Sequence, residues 1–543
     1  MNEISDTPVL EIKGLSVLLP DGADREFAIE EVSFSIGRSE IVCIVGESGS
    51  GKSVTAFTVM GLIPKKDLVP VAGEILLHGE DLLDKSDRQM RRLRGKKMGM
   101  VFQEPMTALN PVIKVGDQIA EILEIHANMS ASARKKRVIE TMEDVSLPEP
   151  VKMYDSYPHQ LSGGQRQRIM IAMALVLEPG LLIADEPTTA LDVTTQAEVL
   201  ELIRDIQARH GTGVMFITHD FGVVADIADR VVVMQNGKVV EQGTRDEILS
   251  APSHPYTKML IGSVPSLTPP NRPIPEVAET ALEAKALNKT YGRVGLFENG
   301  RMVKAAQDVE LILRRGETLG VVGESGSGKS TVARCVVRLI DPTSGDINVA
   351  GTNIAQMAES ELRAYRQKIQ IVFQDPYRSL NPRRTVGQSI VEGPMNFGLS
   401  GTEAQSRAEN LMRIVGLAPE ALTRFPHQFS GGQRQRICIA RALAMEPRVL
   451  IADEAVSALD VSVQAQVLRL LQDVRERYDL AMLFITHDLR VAAQICDRIM
   501  VMQRGVVVEE GRTSEVYANP QHPYTRSLLN AAPGRETNFA RYS

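Results

Sequence analysis

Short apolar runs that end at a glycine or a carboxylate recur along the chain. The run SEIVCIVG ends at Gly46 and passes through a glycine loop into the apolar segment SVTAFTVMGLI. LLIAD and VLIAD end on Asp185 and Asp453, and VMFIT and MLFIT follow further along. Runs of this length between turn residues are typical of buried strands, and helical patterns alternate with them. The pattern predicts an α/β fold with a parallel sheet and helices on its faces.

The segment between Gln103 and Ser162 has a different period. Its apolar positions recur three and four residues apart, which is the spacing of one helix face. They are Ile119, Ile122 and Leu123, followed by Val138, Met142 and Val145. This segment is predicted to be mostly helical.

The whole pattern occurs twice. GESGSGKS starts at Gly46 and Gly323, SGGQRQRI at Ser162 and Ser430, and HPYT at His254 and His522. A repeat this long indicates duplicated domains rather than a solenoid. The proline-rich stretch VPSLTPPNRPIPE lies between the copies and is predicted to be a semi-rigid linker. We therefore predict a first domain at 1–263, a linker at 264–280 and a second domain at 281–543.

Composition narrows the classes of protein that fit. Hydrophobic residues make up 43% and charged residues 24%, as in ordinary globular proteins, and the net charge of -7 indicates no broad nucleic-acid surface. Four cysteines lie far apart, which disfavours a metal ribbon, an iron–sulfur cluster or a disulfide scaffold. The polar N-terminus predicts no secretory signal, and no apolar stretch is long enough to predict a membrane span.

The repeated glycine loop carries the clearest chemistry. G-x-x-x-x-G-K-S between a strand and a helix predicts a loop whose backbone amides and helix N-terminus hold phosphates. Its lysine is expected to reach the terminal phosphates, and its last serine is expected to bind Mg²⁺. The predicted nucleotide contacts are Gly46, Glu47, Ser48, Gly49, Ser50, Gly51, Lys52 and Ser53 in the first copy, and Gly323, Glu324, Ser325, Gly326, Ser327, Gly328, Lys329, Ser330 and Thr331 in the second.

Polar residues that follow the other buried strands complete a hydrolytic site. Asp185 and Asp453 are candidate Mg²⁺ ligands, and the next carboxylates, Glu186 and Glu454, are candidates to polarise the attacking water. Two glutamines and two histidines also follow strands. The glutamine amides are expected to serve Mg²⁺ or water, and the histidines are expected to reach the terminal phosphate. These are Gln103, Gln374, His219 and His487.

A second kind of anion site is predicted at the start of the SGGQRQRI helices. Serine is a good helix N-cap, and two glycines permit close approach of the backbone to an anion. A simple capped helix would have the same pattern. Because the chain already contains two phosphate loops, we favour the interpretation that each of these helix starts forms the second half of a phosphate-binding site. The residues are Ser162, Gly163, Gly164 and Gln165, and Ser430, Gly431, Gly432 and Gln433.

In this order, and twice over, these motifs resemble those of the ATP-binding cassette (ABC) ATPases. The resemblance implies two tandem P-loop domains, each with a RecA-like parallel-sheet core, an antiparallel β subdomain and a helical subdomain that carries the signature SGGQ. It also implies ATP and Mg²⁺ as cofactors. Each ATP is expected between the phosphate loop of one cassette and the signature of the other, so that Lys52 pairs with Ser430 and Lys329 with Ser162 within one chain.

Subfamily features point to import. LNP after Gln103 and Gln374, and HPYT near each cassette end, are similar to the dipeptide, oligopeptide and nickel importers. The fused layout resembles the ATPases of glutathione importers and, somewhat more closely, of microcin C/oligopeptide importers. This implies an energy-coupling subunit on the cytoplasmic face of the cell (inner) membrane. Its implied partners are two permease subunits and a solute-binding protein, with no nucleic acid. The cysteine-free C-terminus predicts no iron–sulfur cluster.

Some positions depart from the family pattern. Phe429 replaces the usual leucine before the second signature, and Ala455 and Val456 replace the Pro-Thr that follows Glu186 in the first cassette. The family places an aromatic ring on the adenine. Tyr291 fits that role in the second cassette, whereas the first has Leu19 at the matching position, with Phe27 as a possible substitute.

Two other classes share part of this pattern. Soluble double-cassette ATPases that act on ribosomes also lack membrane spans, but they carry a long charged helical linker instead of a short proline-rich one. DNA-repair cassette ATPases insert zinc-binding cysteines, which this sequence does not contain. The importer is therefore the favoured prediction, and the ribosomal ATPase remains the alternative.

Overall fold

The computed structural model describes residues 7–64, 66–189, 191–270, 272, 278–292, 302–457, 459–537 and 539. These residues form two compact units. The first contains the described residues up to Leu191, Thr195–Val264 and those from Pro533, and the second contains Asp192–Thr194 and Pro265–Ala532. Residues 271 and 273–277 of the predicted linker lie outside the described residues. The boundaries 1–263, 264–280 and 281–543 stay a prediction.

The first unit alternates strands and helices along most of its length. Its strands are β1 Leu10–Leu18, β2 Phe27–Ile36, β3 Ile41–Val45, β4 Val69–Leu77, β5 Glu80–Asp81, β6 Met98–Val101, β7 Leu181–Asp185, β8 Gly213–Ile217, β9 Arg230–Gln235 and β10 Lys238–Thr244. Its helices are α1 Lys52–Met60, α2 Asp87–Leu93, α3 Pro105–Ala108, α4 Val115–His126, α5 Ala131–Asp144, α6 Pro150–Met153, α7 Gly163–Leu175, α8 Val193–His210, α9 Phe221–Ile227, α10 Arg245–Ser250 and α11 Pro255–Gly262.

Two sheets organise this unit. The larger has the strand order β10-β9-β3-β8-β7-β6, in which β9, β3, β8, β7 and β6 are parallel and β10 is an antiparallel edge strand. The smaller is antiparallel, with the order β2-β1-β4-β5. Helices α4 to α7 occupy the segment between Gln103 and the end of the signature helix, as its helical period predicts.

The second unit repeats this arrangement. Its strands are β11 Thr280–Tyr291, β12 Val303–Arg314, β13 Thr318–Val322, β14 Ser344–Val349, β15 Thr352–Asn353, β16 Ile369–Val372, β17 Val449–Asp453, β18 Ala481–Thr486, β19 Arg498–Gln503 and β20 Val506–Arg512. Its helices are α12 Lys329–Val336, α13 Glu359–Arg366, α14 Pro376–Ser379, α15 Val386–Asn396, α16 Gly401–Ile414, α17 Gly431–Leu443, α18 Val461–Tyr478, α19 Leu489–Ile495, α20 Thr513–Ala518 and α21 Pro523–Asn530. The sheet orders are β16-β17-β18-β13-β19-β20 and β12-β11-β14-β15.

The central sheet of the second unit separates two hydrophobic cores. Successive side chains of a strand point to opposite faces. In β18, Leu483 and Ile485 therefore pack with the antiparallel sheet, whereas Met482 and Phe484 pack with the helices. Both faces are buried, which explains why these strands are continuous apolar runs rather than alternating ones. The predicted α/β architecture is confirmed.

Within the described part of the chain, no helix combines the length and the hydropathy that crossing a bilayer requires.

Candidate functional site

The two phosphate loops connect a buried parallel strand to a helix. In the first unit the loop runs from the end of β3 into α1, which begins at Lys52, and in the second it runs from β13 into α12, which begins at Lys329. Gly51 and Gly328 cap these helices with φ of 103° and 106°. A Cβ on Gly328 would lie 2.1 Å from the carbonyl oxygen of Ala305. Only glycine therefore fits the point where the loop turns into the helix.

Each loop lysine is buried and folded onto its own loop. Lys52 Nζ donates to the carbonyl oxygens of Gly46 and Glu47 at 2.7 and 2.9 Å. Lys329 Nζ makes the matching bonds at 2.7 and 2.7 Å. Burial lowers the pKa of Lys329, although Glu454 and Asp453 act in the opposite direction. A buried ammonium group held by neutral carbonyl oxygens is well placed to attract an anionic phosphate.

The loop serine meets the strand aspartate in both units. Ser53 Oγ donates to Asp185 Oδ1 at 3.1 Å, and Ser330 Oγ donates to Asp453 Oδ1 at 2.9 Å. Burial raises the pKa of Asp185, and the bond from Ser53 lowers it. A hydroxyl and a carboxylate side by side are hard oxygen donors of the kind that Mg²⁺ prefers. The residues present fit the predicted metal.

In the first unit, Glu186 is the centre of a polar cluster. Its Oε2 accepts bonds from Gln103 Nε2 at 2.9 Å and Thr189 Oγ1 at 3.0 Å, and its Oε1 lies 3.2 Å from His219 Nδ1. Burial raises the pKa of Glu186, but His219, Thr189 and Lys52 together outweigh this effect, so the net pKa is lowered. The carboxylate is therefore ionised at neutral pH and can accept a proton or orient water.

The second unit keeps this cluster despite its departures from the family pattern. Glu454 Oε2 accepts a bond from Gln374 Nε2 at 2.9 Å and lies 3.5 Å from His487 Nδ1. Burial opposes ionisation of Glu454, but His487 and Lys329 lower its pKa below the usual value. Burial likewise opposes protonation of His487, but Glu454 raises the pKa of this histidine. The replacements Ala455 and Val456 are buried core residues and leave Glu454 in place.

The signature serines cap their helices as expected. Ser162 Oγ accepts from the backbone N–H of Gln165 at 3.3 Å, and Gln165 Oε1 accepts from the N–H of Ser162 at 2.9 Å. Ser430 and Gln433 repeat this capping box. The second glycine of each pair is required by packing, because a Cβ on Gly164 or Gly432 would clash with Thr195 or Val463.

The first glycine of each signature has no such local reason. A Cβ built on Gly163 or Gly431 meets no heavy atom within 4 Å. Close packing within its own unit therefore does not explain glycine here. This leaves room for a group that approaches the helix N-terminus, as the predicted half-site requires.

The candidates for adenine stacking differ between the units. Tyr291 ends β11 with 42% of its surface exposed, and the Lys289 ammonium lies 5.2 Å from the ring centroid. Leu19 follows β1 and is half-buried, and Phe27 begins β2 opposite Leu18. The phenol ring is thus accessible in the second unit, whereas the first has only Leu19 and a half-buried phenylalanine.

Three contacts at the site were not predicted from the sequence. Thr189 lies three residues after Glu186 and bonds to it, and Ser457 at the matching position accepts a bond from Gln374 at 3.3 Å. A comparison of the two copies could have identified this residue, because both have a hydroxyl side chain three positions after the glutamate. Arg25, on the loop after β1, donates to the Gly49 carbonyl at 2.6 Å, and no motif marks it.

Comparison with known proteins places these two units in a family. The family model described as ABC transporter matches residues 29–189 and again 306–457. The chain belongs to the ABC transporter family. A second model, described as the C-terminal region of oligopeptide/dipeptide transporters, matches residues 240–293 and 508–538 of this ABC chain.

Curated ABC relatives match almost the whole chain. The "Glutathione import ATP-binding protein GsiA" of Salmonella choleraesuis (strain SC-B67) is 47% identical over 98% of this chain and 90% of the relative. The protein of the same name in Escherichia coli O157:H7 is 46% identical over 99% of this chain and 92% of the relative. Family membership confirms the two predicted ATP-binding cassettes, and the chain is an ATPase. The ribosomal alternative gains no support.

Proposed function

We propose that this chain is the energy-coupling ATPase of an ABC importer for peptides or peptide-like solutes such as glutathione. One observation carries the proposal: the model of the oligopeptide/dipeptide transporter C-terminal region matches twice, from residue 240 near the end of the first cassette and at residues 508–538 near the end of the second. Relatives that span nearly the whole chain are named glutathione import proteins, which supports the same solute class. Translation-factor activity has no comparable support.

The hydrolytic roles follow from the chemistry of the clusters. Glu186 and Glu454 orient and polarise the attacking water, and His219 and His487 contact the terminal phosphate. One magnesium site consists of Ser53, Asp185 and Gln103, and the other consists of Ser330, Asp453 and Gln374. Bound Mg²⁺ would neutralise charge that develops on the transferring phosphoryl group. The proximity of Gln103 to Glu186 supports a shared task for these residues.

The composite sites are proposed on the family resemblance. The phosphate loop with Lys52 shares one ATP with Ser430, Gly431, Gly432 and Gln433. The loop with Lys329 shares the other with Ser162, Gly163, Gly164 and Gln165. Because both cassettes belong to one polypeptide, the effective concentration of each for the other is high. One chain therefore serves one transporter.

The remaining parts of the proposal concern the assembly. Two permease subunits supply the membrane spans, a solute-binding protein delivers the solute, and this chain docks peripherally on the cytoplasmic face of the inner membrane. ATP binding and hydrolysis drive the conformational change of the permeases. The cassettes correspond to residues 1–263 and 281–543, with residues 264–280 as the linker.

The test combines isolation of the complex with transport. The chromosomal copy is tagged and purified from detergent-extracted membranes, and native mass spectrometry counts the subunits. We expect one chain with two membrane-spanning subunits. Cells that lack the chain should lose uptake of labelled glutathione or short peptides. The wild-type chain should restore uptake, and a Glu186→Gln, Glu454→Gln variant should not.

Two results would contradict the proposal. Recovery of the chain with ribosomes, together with unchanged solute uptake in the deletion strain, would favour the translation-factor class. Two copies of the chain per permease pair would refute the intramolecular sandwich while leaving the import function in place.

A further inference from the structure

The HPYT motif forms the start of a short helix near the end of each cassette. His254 precedes α11 and His522 precedes α21, and each histidine caps its helix. The ring Nδ1 of His254 accepts from the N–H of Tyr256 at 3.2 Å, and His522 does the same for Tyr524 at 3.2 Å. The motif thus has one geometry in both units.

A glutamate on the preceding edge strand anchors this helix start. Glu241 on β10 accepts from the backbone N–H groups of Ser253 and His254 at 2.6 and 3.1 Å. Burial raises the pKa of Glu241, but the hydrogen bonds that it accepts lower this pKa by a larger amount, so the net shift is downward and the carboxylate is ionised at neutral pH. Glu509 on β20 holds the backbone N–H groups of Gln521 and His522 at 2.7 and 3.0 Å. Such charge-assisted bonds fix the position of the helix start.

The tyrosine of the motif reaches back to the phosphate loop. Tyr256 Oη accepts from the backbone N–H of Glu47 at 3.0 Å and donates to Glu47 Oε2 at 3.2 Å. Tyr524 Oη accepts from the N–H of Glu324 at 3.1 Å. Both tyrosines are buried, with 6% and 9% of their surface exposed. Burial raises the pKa of Tyr524 to about 12, so its hydroxyl keeps its proton at neutral pH.

The residue that the tyrosine contacts also holds the loop lysine. Lys52 Nζ donates to the carbonyl oxygen of Glu47, whose N–H is bonded to Tyr256. In the second unit, Glu324 likewise accepts from Lys329 through its carbonyl oxygen and donates to Tyr524 through its N–H. Each lysine also donates to the carbonyl oxygen of Gly46 or Gly323, which shares a peptide group with the N–H that the tyrosine holds. The tyrosine therefore fixes a peptide group that orients the lysine. Binding that depends on converging backbone groups is strengthened when those groups are held in place beforehand.

We propose that Tyr256 and Tyr524 are positioning residues that hold the two phosphate loops in the shape that accepts ATP. The HPYT helices are then part of the nucleotide sites as well as a C-terminal extension. This inference rests on the proposed nucleotide sites. A tyrosine that only packs the core would leave ATP affinity unchanged when its hydroxyl is removed.

The test is the double variant Tyr256→Phe, Tyr524→Phe in the full-length chain. Phenylalanine keeps the ring packing and removes the bonds to Glu47 and Glu324. We expect the Kd and KM for ATP to rise about 3- to 10-fold, the usual effect of one net hydrogen bond per site. The kcat should stay within about twofold. Hydrogen–deuterium exchange of peptides that cover Gly46–Ser53 and Gly323–Ser330 should become faster.

Tyr154→Phe is the matched control. Tyr154 is buried to a similar extent, with 8% exposed, and its hydroxyl donates to Asp117 Oδ1 at 3.2 Å, outside the phosphate loop. This variant should keep the wild-type KM and loop exchange. A rise in KM equal to that of the double variant would show general destabilisation and overturn the proposal.

The inference and the proposed function fail in different ways. A double variant with the wild-type KM, Kd and loop exchange would refute the positioning role, although the chain would still hydrolyse ATP. A wild-type chain that neither bound nor hydrolysed ATP would instead refute the proposed nucleotide sites.

Discussion

Gln103 Nε2 donates to Glu186 Oε2 at 2.9 Å, a hydrogen bond that Gln374 and Glu454 repeat at the same distance. The pairing follows from strand order, because Gln103 follows β6, Glu186 follows β7, and these parallel neighbours end at one edge of the sheet. The hydrogen bond from the glutamine amide stabilises the ionised form of the carboxylate without adding a charge. A glutamate side chain in this environment is suited to activate water.

The first prediction concerns Glu186→Gln combined with Glu454→Gln. The amide keeps the size of the side chain but cannot accept a proton, so ATP hydrolysis should fall by about 100-fold or more. ATP affinity should stay close to the wild-type value, because Lys52 and Lys329 are unchanged. Steady-state ATPase assays and equilibrium nucleotide binding check the two expectations.

Lys52→Ala with Lys329→Ala is the contrasting variant. Removing the buried ammonium groups should weaken ATP binding itself. If the double glutamine variant retained near-normal turnover, Glu186 and Glu454 would not be the catalytic carboxylates.

The sequence predicted the local parts of this site better than its long-range contacts. Glycine loops, carboxylates after apolar runs and capped helices are each specified within a few residues, so repeated short motifs reveal them. The bond between Tyr256 and Glu47 joins positions 209 residues apart, and no local pattern encodes that distance. From the sequence alone HPYT indicates only the subfamily, because the bond to the loop forms only once the sheet has folded.

The resemblance to the ABC ATPases predicts the antiparallel sheet of each unit, whereas the spacing of apolar residues does not. The antiparallel sheet that contains β1 has an exposed stretch in β4 and register shifts between Ile12 and Leu18, so its strands alternate only in part. Apolar runs alone predict the central sheet but not this second one. By contrast, α4 and α5 follow directly from their apolar spacing, because each packs one face on the core.

The second prediction concerns metal binding by the loop serines. Ser53→Ala with Ser330→Ala removes a hydroxyl ligand and the hydrogen bonds to Asp185 and Asp453. Loss of such an oriented ligand set should raise the Mg²⁺ concentration for half-maximal ATPase activity by about 10- to 100-fold. A Mg²⁺ titration at fixed ATP measures this shift.

Thr58→Ala is the control for that titration. Thr58 lies on the same helix as Ser53, but its hydroxyl donates to the Val54 carbonyl at 2.7 Å. Its Mg²⁺ dependence should match that of the wild-type chain. Equal Mg²⁺ curves for the serine and threonine variants would argue against a metal role for Ser53 and Ser330.

The third prediction compares two matching ion pairs. Glu317 has 1% of its side chain exposed and lies 2.8 Å from Arg498, whereas Glu40 has 20% exposed and lies 3.2 Å from Arg230. Removing Glu317 takes an acceptor away from the Arg498 guanidinium and from the backbone N–H of Arg314, and a buried donor that loses its partner costs about 1–3 kcal/mol. Glu317→Ala should therefore lower the Tm of the full-length chain more than Glu40→Ala does. Calorimetry that found equal shifts would contradict the difference in burial.

The last prediction is a difference in ATP affinity between the two sites. Aromatic stacking on a base contributes about 1–3 kcal/mol, and about 1.4 kcal/mol corresponds to a tenfold change in affinity. Tyr291 presents an exposed ring in the second unit, whereas Leu19 presents a half-buried aliphatic side chain in the first. We expect the site with Lys52 to bind ATP more weakly than the site with Lys329.

Reciprocal substitutions test this difference. Leu19→Tyr should tighten the Lys52 site, and Tyr291→Leu should loosen the Lys329 site, each by about tenfold when nucleotide affinity is measured at the two sites separately. Phe27 pairs with Leu18, the residue before Leu19, so its ring is the candidate to replace the missing one. If Leu19→Tyr changes nothing while Phe27→Ala weakens the first site, Phe27 is the stacking residue. The two sites would then each hold adenine with an aromatic ring, and the affinity difference would disappear.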